Sequence, residues 1–161
     1  MSGSQQQQDF VPQRSADVPS RAADPKKAVP DHVRRRMANT RGRDTKPELE
    51  VRRRLHALGY RYRVNARPES TLRYTADILF TRARVAVFID GCFWHGCPEH
   101  FVMPQTRTEF WRNKIGGNTA RDAAASAALR TAGWTVVRIW EHTPSEEAVA
   151  SVVSAVGPVS R

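Results

Sequence analysis

The apolar residues of this 161-residue chain follow two periods, and the changes of period mark its elements. Val51, Leu55 and Leu58 recur at i, i+4 and i+7, which predicts a helix over 45–58. Asp44 or Thr45 is placed to cap it, Pro47 suits its first turn, and Gly59 stops it. Glu48 and Glu50 lie at the positive end of its dipole, and Arg52, Arg53 and Arg54 are expected around its exposed side. Arg61–Arg67 alternates as a strand, 68–72 turns, and Thr75–Phe80 reads as a second strand. Val85–Ile89 is apolar and β-branched, the profile of an interior strand, and with Thr75–Phe80 it is expected to form a hairpin. Arg107–Ile115 is expected as a short helix or loop, and Asn118 as the cap of a separate alanine-rich helix ending at Gly133. Trp134–Trp140 is a further strand. Thr143-Pro144-Ser145-Glu146 reads as a capping box before a last helix with Val149, Val152, Val153 and Val156 on one face. Helix, strands, helix, strand, helix predicts an α/β layered domain with a central mixed sheet.

The segment 1–31 does not fit either period. Low hydrophobicity, a Gln5–Gln8 run and four prolines make it an expected disordered tail, because it cannot bury enough surface to offset chain entropy. The ordered domain is expected over 32–157. No apolar run approaches the ~20 residues of a membrane span, and no signal-peptide core is present. The chain thus reads as a soluble, cytoplasmic protein with no membrane partner.

Charge changes the picture more than composition does. The net charge is +10, and its distribution is uneven. Residues 33–84 carry fifteen Lys/Arg against five Asp/Glu, whereas 1–32 carry four of each and 85–161 seven of each. The whole excess sits in one third of the chain, which suits contact with phosphates better than general solubility. Arg34, Arg35, Arg36 and Met37 form a basic arm ending in one flexible apolar residue, a pattern that lies along DNA grooves.

After Ile89 the apolar strand ends at Asp90-Gly91, and chemistry-bearing residues crowd together. Cys92 and Cys97, the only two cysteines, are followed by His100 in a C-x4-C-x2-H spacing close to that of a structural zinc site. His142, just past the strand 134–140, is the best fourth ligand. A disulfide or two inert thiols are the competing readings of the cysteines, the first disfavoured without a secretory leader. His95, between the cysteines, is a fifth ligand-type residue with either a zinc-binding or a separate task. Asp77 lies beside an apolar run, where an isolated carboxylate is expensive unless paired or metal-bound. Asp77 and Asp90 are separated by twelve residues on neighbouring strands, and hard oxygen ligands at strand ends hold Mg²⁺ against phosphate.

Longer strings carry a resemblance. G-C-F-W-H-G-C-P-E-H, then T-R-T-E-F-W-x-x-K-I-x-x-N-x-x-R-D, then A-G-W-T-V-V-R-I-W-E closely resemble the very short patch repair (Vsr) DNA mismatch endonucleases. The upstream M-x-x-x-x-x-R-D-T-K-P-E-L fits as well, so the resemblance covers roughly 33–142. It implies a restriction-endonuclease-like fold with a structural zinc and a Mg²⁺-dependent nick 5′ to the T of a T·G mismatch, the product of 5-methylcytosine deamination. It implies Asp77 and the main-chain carbonyl of Ile89 as Mg²⁺ ligands, His95 as catalytic histidine and Asp122 as the acid orienting it. Glu48 matches the family's glutamate on the first helix. Phe93, Trp94 and Trp111 match an aromatic wedge beside the mismatch, and Met37 a residue inserted from the opposite groove. The partner implied is double-stranded DNA bearing the mismatch, met by a monomer at the nucleoid of a prokaryote, with mismatch-repair proteins as further partners.

The chain also departs from the family. Some members have a histidine-rich run and a Cys where this one has Gly96, Cys97, Pro98 and His142, so zinc would here be held by a Cys2His2 set of Cys92, Cys97, His100 and His142. Asp90 stands where some members carry a phosphate-contacting His, and could bind metal. No Lys follows it two residues on. Two other functions compete: a non-catalytic zinc-containing DNA-binding module, and an enzyme cutting both strands of paired DNA.

Overall fold

The structure, a computed structural model, describes residues 43–159. The tail expected over 1–31 and the arm of Arg34, Arg35, Arg36 and Met37 lie outside the described residues. The order is α1 (Lys46–Ala57), β1 (Arg63–Ala66), β2 (Ala76–Phe80), β3 (Val85–Asp90), α2 (Thr108–Thr131), β4 (Thr135–Trp140) and α3 (Ser145–Val156). The four strands lie in chain order in one mixed sheet. β1, β2 and β3 run antiparallel in sequence, and β4 pairs parallel with β3.

Alternation along the strands sends side chains to two layers. Val85, Val87 and Ile139 pack with Val51 and Leu55 of α1 and Ala148, Val149 and Val152 of α3. Leu79 and Ala86 face the other way, onto Leu129 of α2 and Trp134. Helices thus cover both faces, as the period changes predicted. Among the described residues no helix is long and apolar enough to cross a membrane.

Three expectations need correction. The segments read as 107–115 and 118–133 are one 24-residue helix, α2. Gly116 and Gly117 suggest a break, but both sit inside it, and Asn118 is a mid-helix residue, not a cap. Thr143 does not cap α3: Pro144 holds the N-cap position, with no side-chain capping bond. Arg52 does not fan outward with Arg53 and Arg54. It is buried, since its guanidinium binds Asp44 Oδ1 at 2.6 Å and Glu48 Oε2 at 2.8 Å.

Glu48 is the hub of that first turn. Its carboxylate accepts the Asp44 N–H and the Thr45 hydroxyl, each at 2.9 Å, besides the Arg52 bond. The reach from N3 back to the chain before the helix does half the work of a capping box, while Thr45 itself makes no capping bond to the backbone. Arg52 also approaches the Asp77 carbonyl at 3.3 Å, and the Tyr62 hydroxyl donates to the Arg52 carbonyl at 2.6 Å. The basic helix is thereby fastened to β2 beside Asp77.

Candidate active site and metal knot

The inner strands diverge where β3 ends. The β2–β3 register closes at Ile78 and Val87, and beyond it the Ile89 N–H meets a side chain: Asp77 Oδ2 accepts it at 2.8 Å. The Asp90 carbonyl accepts the Glu141 N–H on the β4 side. Along a strand, successive residues point their backbone groups to opposite neighbours. The Ile89 carbonyl therefore faces the β2 side, the side of the Asp77 carboxylate. Burial pushes the Asp77 carboxyl up to about 6, against the opposing Ile89 N–H, with Glu48 and Asp90 adding to the rise and Arg52 reducing it. A half-buried carboxylate beside a main-chain carbonyl, under-supplied with positive charge, is a donor set suited to a hard divalent cation.

Asp90 takes a different partner. Its side chain turns to the α2 face, where Arg138 of β4 grips it through Nε at 2.7 Å and a terminal nitrogen at 2.5 Å. Asp90 is 6% exposed. The two acids expected to share one site are thus divided, Asp77 toward the β2–β3 gap and Asp90 toward Arg138. Next to this ion pair, His95 Nδ1 lies 2.5 Å from Asp122 Oδ2 and 3.7 Å from Asp90 Oδ1. His95 comes from the loop after β3 and Asp122 from the middle of α2, so the pair joins residues twenty-seven positions apart. With Nδ1 engaged by Asp122, the free ring nitrogen is Nε2, the geometry in which an imidazole is held to exchange a proton. A cleft of about 410 Å³ opens over His95, Asp122 and Arg138.

The loop 91–101 is wound by its own backbone: His95 N–H to Gly91 O, Cys97 N–H to Cys92 O and Phe101 N–H to Cys97 O. Gly96 permits the winding. Its φ is +64°, and a Cβ there would sit 3.1 Å from Ile115 Cγ2. The winding gathers Cys92, Cys97, His100 and His142, whose ligand atoms all lie within 4.8 Å of one another. His142 Nδ1 is 3.0 Å from Cys92 Sγ and 3.8 Å from Cys97 Sγ, and His100 Nδ1 is 3.7 Å from Cys97 Sγ. Edges of about 3.3–3.8 Å are what a tetrahedral ion with ~2.1–2.3 Å bonds requires. The outer nitrogen of His142 lies 3.7 Å from the exposed Glu99 carboxylate. The set expected from spacing is brought together, His95 stays outside it, and both cysteines are free thiols.

Beside the knot stands an aromatic panel. Phe93 meets Trp94 and Trp111 edge to face, each with centroids 5.2 Å apart. Phe101 and the exposed Phe110 extend the panel, with Arg107 over the Phe110 ring. Asn118 of α2 donates to the Trp94 carbonyl at 2.8 Å and fixes the loop that carries it.

Sequence reasoning missed four participants: Arg138, Arg52, Glu141, which takes the Cys92 N–H at 2.7 Å, and Asn118. Only Arg138 left a signal. An arginine within the otherwise apolar run Trp134–Trp140 needs a carboxylate partner.

A mixed sheet with an acid on an inner strand, and with a histidine–aspartate pair and a Cys/His knot at the exit of the next, defines an α/β protein of the nuclease kind. The model of the family described as "DNA mismatch endonuclease Vsr" matches residues 27–100. The chain is 46% identical over 121 residues to the "Type II nicking enzyme V.NaeI" of Lentzea aerocolonigenes, covering 74% of this chain and 73% of that one. It is 39% identical to the "Type II nicking enzyme V.XorIIP" of Xanthomonas oryzae pv. oryzae, covering 70% and 81%. It is 37% identical over 100 residues to the "DNA mismatch endonuclease Vsr" of Escherichia coli, covering 62% of each. The chain belongs to the Vsr family and is a DNA endonuclease of the Vsr kind.

Proposed function

We propose that this protein nicks one strand of duplex DNA 5′ to the T of a T·G mismatch and so starts very short patch repair. The observation that carries this reading is the His95–Asp122 pair at 2.5 Å, within one strand exit of the half-buried carboxylate of Asp77. A module that only binds DNA has no use for either. Asp77 and the Ile89 carbonyl would hold Mg²⁺, which when bound supplies charge stabilisation at the scissile phosphate. His95 accepts a proton from the attacking water at Nε2, and Asp122 fixes the ring through Nδ1. Glu48, held by Arg52 and the start of α1, adds negative charge near Asp77 and so increases the pull on a cation there. Cys92, Cys97, His100 and His142 would hold a structural Zn²⁺ that keeps the loop wound. Phe93, Trp94 and Trp111 enter the stack beside the mismatch, where unstacking costs least, and Met37 with Arg34, Arg35 and Arg36 approaches from the other groove.

Two relatives are named type II nicking enzymes, a name that specifies nicking and no mismatch, so a second reading is that the chain nicks a defined sequence without a mismatch. Nicking across a panel of duplexes with Mg²⁺ decides. Cleavage of one strand only, and only in T·G duplexes, is expected. Equal nicking of fully paired duplexes supports the second reading, double-strand cleavage a restriction-type enzyme, and binding without nicking the zinc-containing DNA-binding module.

A further inference from the structure

We propose that Arg138 is a positioning residue for nicking: it ties up Asp90 and steadies Asp122, so that Asp122 alone receives the His95 Nδ1 hydrogen. This rests on the reading that His95 is the proton acceptor in that reaction.

Two carboxylates flank one ring nitrogen. Asp122 Oδ2 is 2.5 Å from His95 Nδ1 and Asp90 Oδ1 is 3.7 Å away. Only one can receive the hydrogen, and the choice sets the ring plane and thus where Nε2 points. Asp90 is the buried competitor, and a buried carboxylate without a partner seeks the nearest donor. Arg138 removes that need by binding both Asp90 oxygens, through Nε at 2.7 Å and a terminal nitrogen at 2.5 Å. The same guanidinium reaches the rival acid: a terminal nitrogen lies 3.4 Å from Asp122 Oδ2, and the other donates to the Asp122 carbonyl and Ser126 Oγ, each at 3.4 Å. The guanidinium also lies over the Phe88 ring at 5.2 Å, which limits its swing. One planar, always-charged fork thus spans β3, β4 and α2 at the point where the dyad forms. A lysine offers one point charge and cannot span all three.

The test is steady-state nicking of a T·G duplex by the zinc-loaded full chain and its variants. Arg138→Gln lowers kcat by about 10- to 100-fold, part of the ~10²–10⁴ a positioned base supplies, with KM within about 2-fold of wild type. Adding Asp90→Ala to Arg138→Gln removes the rival acceptor and recovers most of the lost kcat. Arg138→Lys, which keeps a charge on Asp90, falls between wild type and Arg138→Gln. In a crystal structure of Arg138→Gln, His95 Nδ1 has moved from Asp122 to Asp90. Wild-type kcat in Arg138→Gln, a double variant no faster than the single, or His95 still on Asp122 in that structure overturns the proposal. Should Arg138→Gln not fold, a wild-type kcat in Arg138→Lys overturns it. A wild-type protein that nicks no duplex overturns the endonuclease reading, and the Arg138→Gln crystal structure then decides the Arg138 assignment by itself.

Discussion

Asp77 concentrates the electrostatic cost of the proposed site in one side chain. Its carboxyl is raised to about 6 from an ordinary value of 3.8, chiefly by burial. The folded state therefore holds this proton more tightly than the unfolded state, and ionising it works against folding. Stability from this group is full below about pH 4 and is lost as pH rises to about 6. Without divalent cation at pH 7, Asp77→Asn should therefore be more stable than wild type by up to about 3 kcal/mol, as measured by urea unfolding. Millimolar Mg²⁺ should narrow that difference by stabilising the wild type alone, as expected if Asp77 is a metal ligand. Asp77→Ala should abolish nicking while mismatch binding stays equal or tightens, because a negative charge near phosphate is deleted. Nicking at the normal rate by Asp77→Ala would return the chain to the binding-module reading. Trp94→Ala should weaken binding by ~1–3 kcal/mol if the indole stacks on a base, and more for mismatched than for paired duplex in a gel-shift comparison.

The element that makes the site is α2. It starts at Thr108 beside the aromatic panel, carries Asn118 to the Trp94 carbonyl and Asp122 to His95, and ends on Leu129 in the core. Gly116 lies inside it, exposed, and a Cβ there would meet nothing within 4 Å. Gly116→Ala should stabilise the protein by about 0.5–1 kcal/mol, because the glycine adds only unfolded-state freedom at this position. A urea midpoint unchanged or lowered would show that the helix needs a bend there. Glu48→Ala belongs to the same scale. It removes the acceptor shared by Asp44, Thr45 and Arg52, and leaves a buried guanidinium short of a partner. A loss of about 3–5 kcal/mol is expected, typical of breaking a buried pair.

Purified protein should carry one equivalent of zinc. Its removal by chelator should unwind the loop 91–101 and with it the His95 dyad, because ligand binding and loop folding are coupled. Less than half an equivalent by metal analysis would remove zinc from the account. Deleting residues 1–31 should leave nicking unchanged, while deletion through Met37 should reduce it, since the basic arm begins after the composition break. A fully folded but inactive protein lacking 1–31 would move that boundary toward the N-terminus.

Local chemistry specified much of this by itself. The periods of Val51–Leu55, Val85–Ile89 and Val149–Val156 determined helix, strand and helix, because apolar spacing must match the face that is buried, whereas Leu58, read with Val51 and Leu55, stands exposed at the helix C-cap. Cys92, Cys97 and His100 lie within one loop, so spacing alone pointed to three members of the Cys/His cluster, and the family strings suggested roles for Asp77, His95 and Asp122. Long-range geometry decided the rest. Gly116-Gly117 reads as a break from propensity, yet packing of Leu129 and Ile115 carries α2 straight through it. Arg52 reads as a surface residue, yet Asp44 and Glu48 on one side and Asp77 on the other draw it inward. Asp90 reads as a second acid beside Asp77, with metal or phosphate as its contact. Only the parallel pairing of β4 beside β3 sets Arg138 next to Phe88 and against Asp90, a partner forty-eight residues away in sequence. A charge shows in sequence, but its countercharge is fixed only when strands from distant parts of the chain come into register, and that register set Arg138 against Asp90.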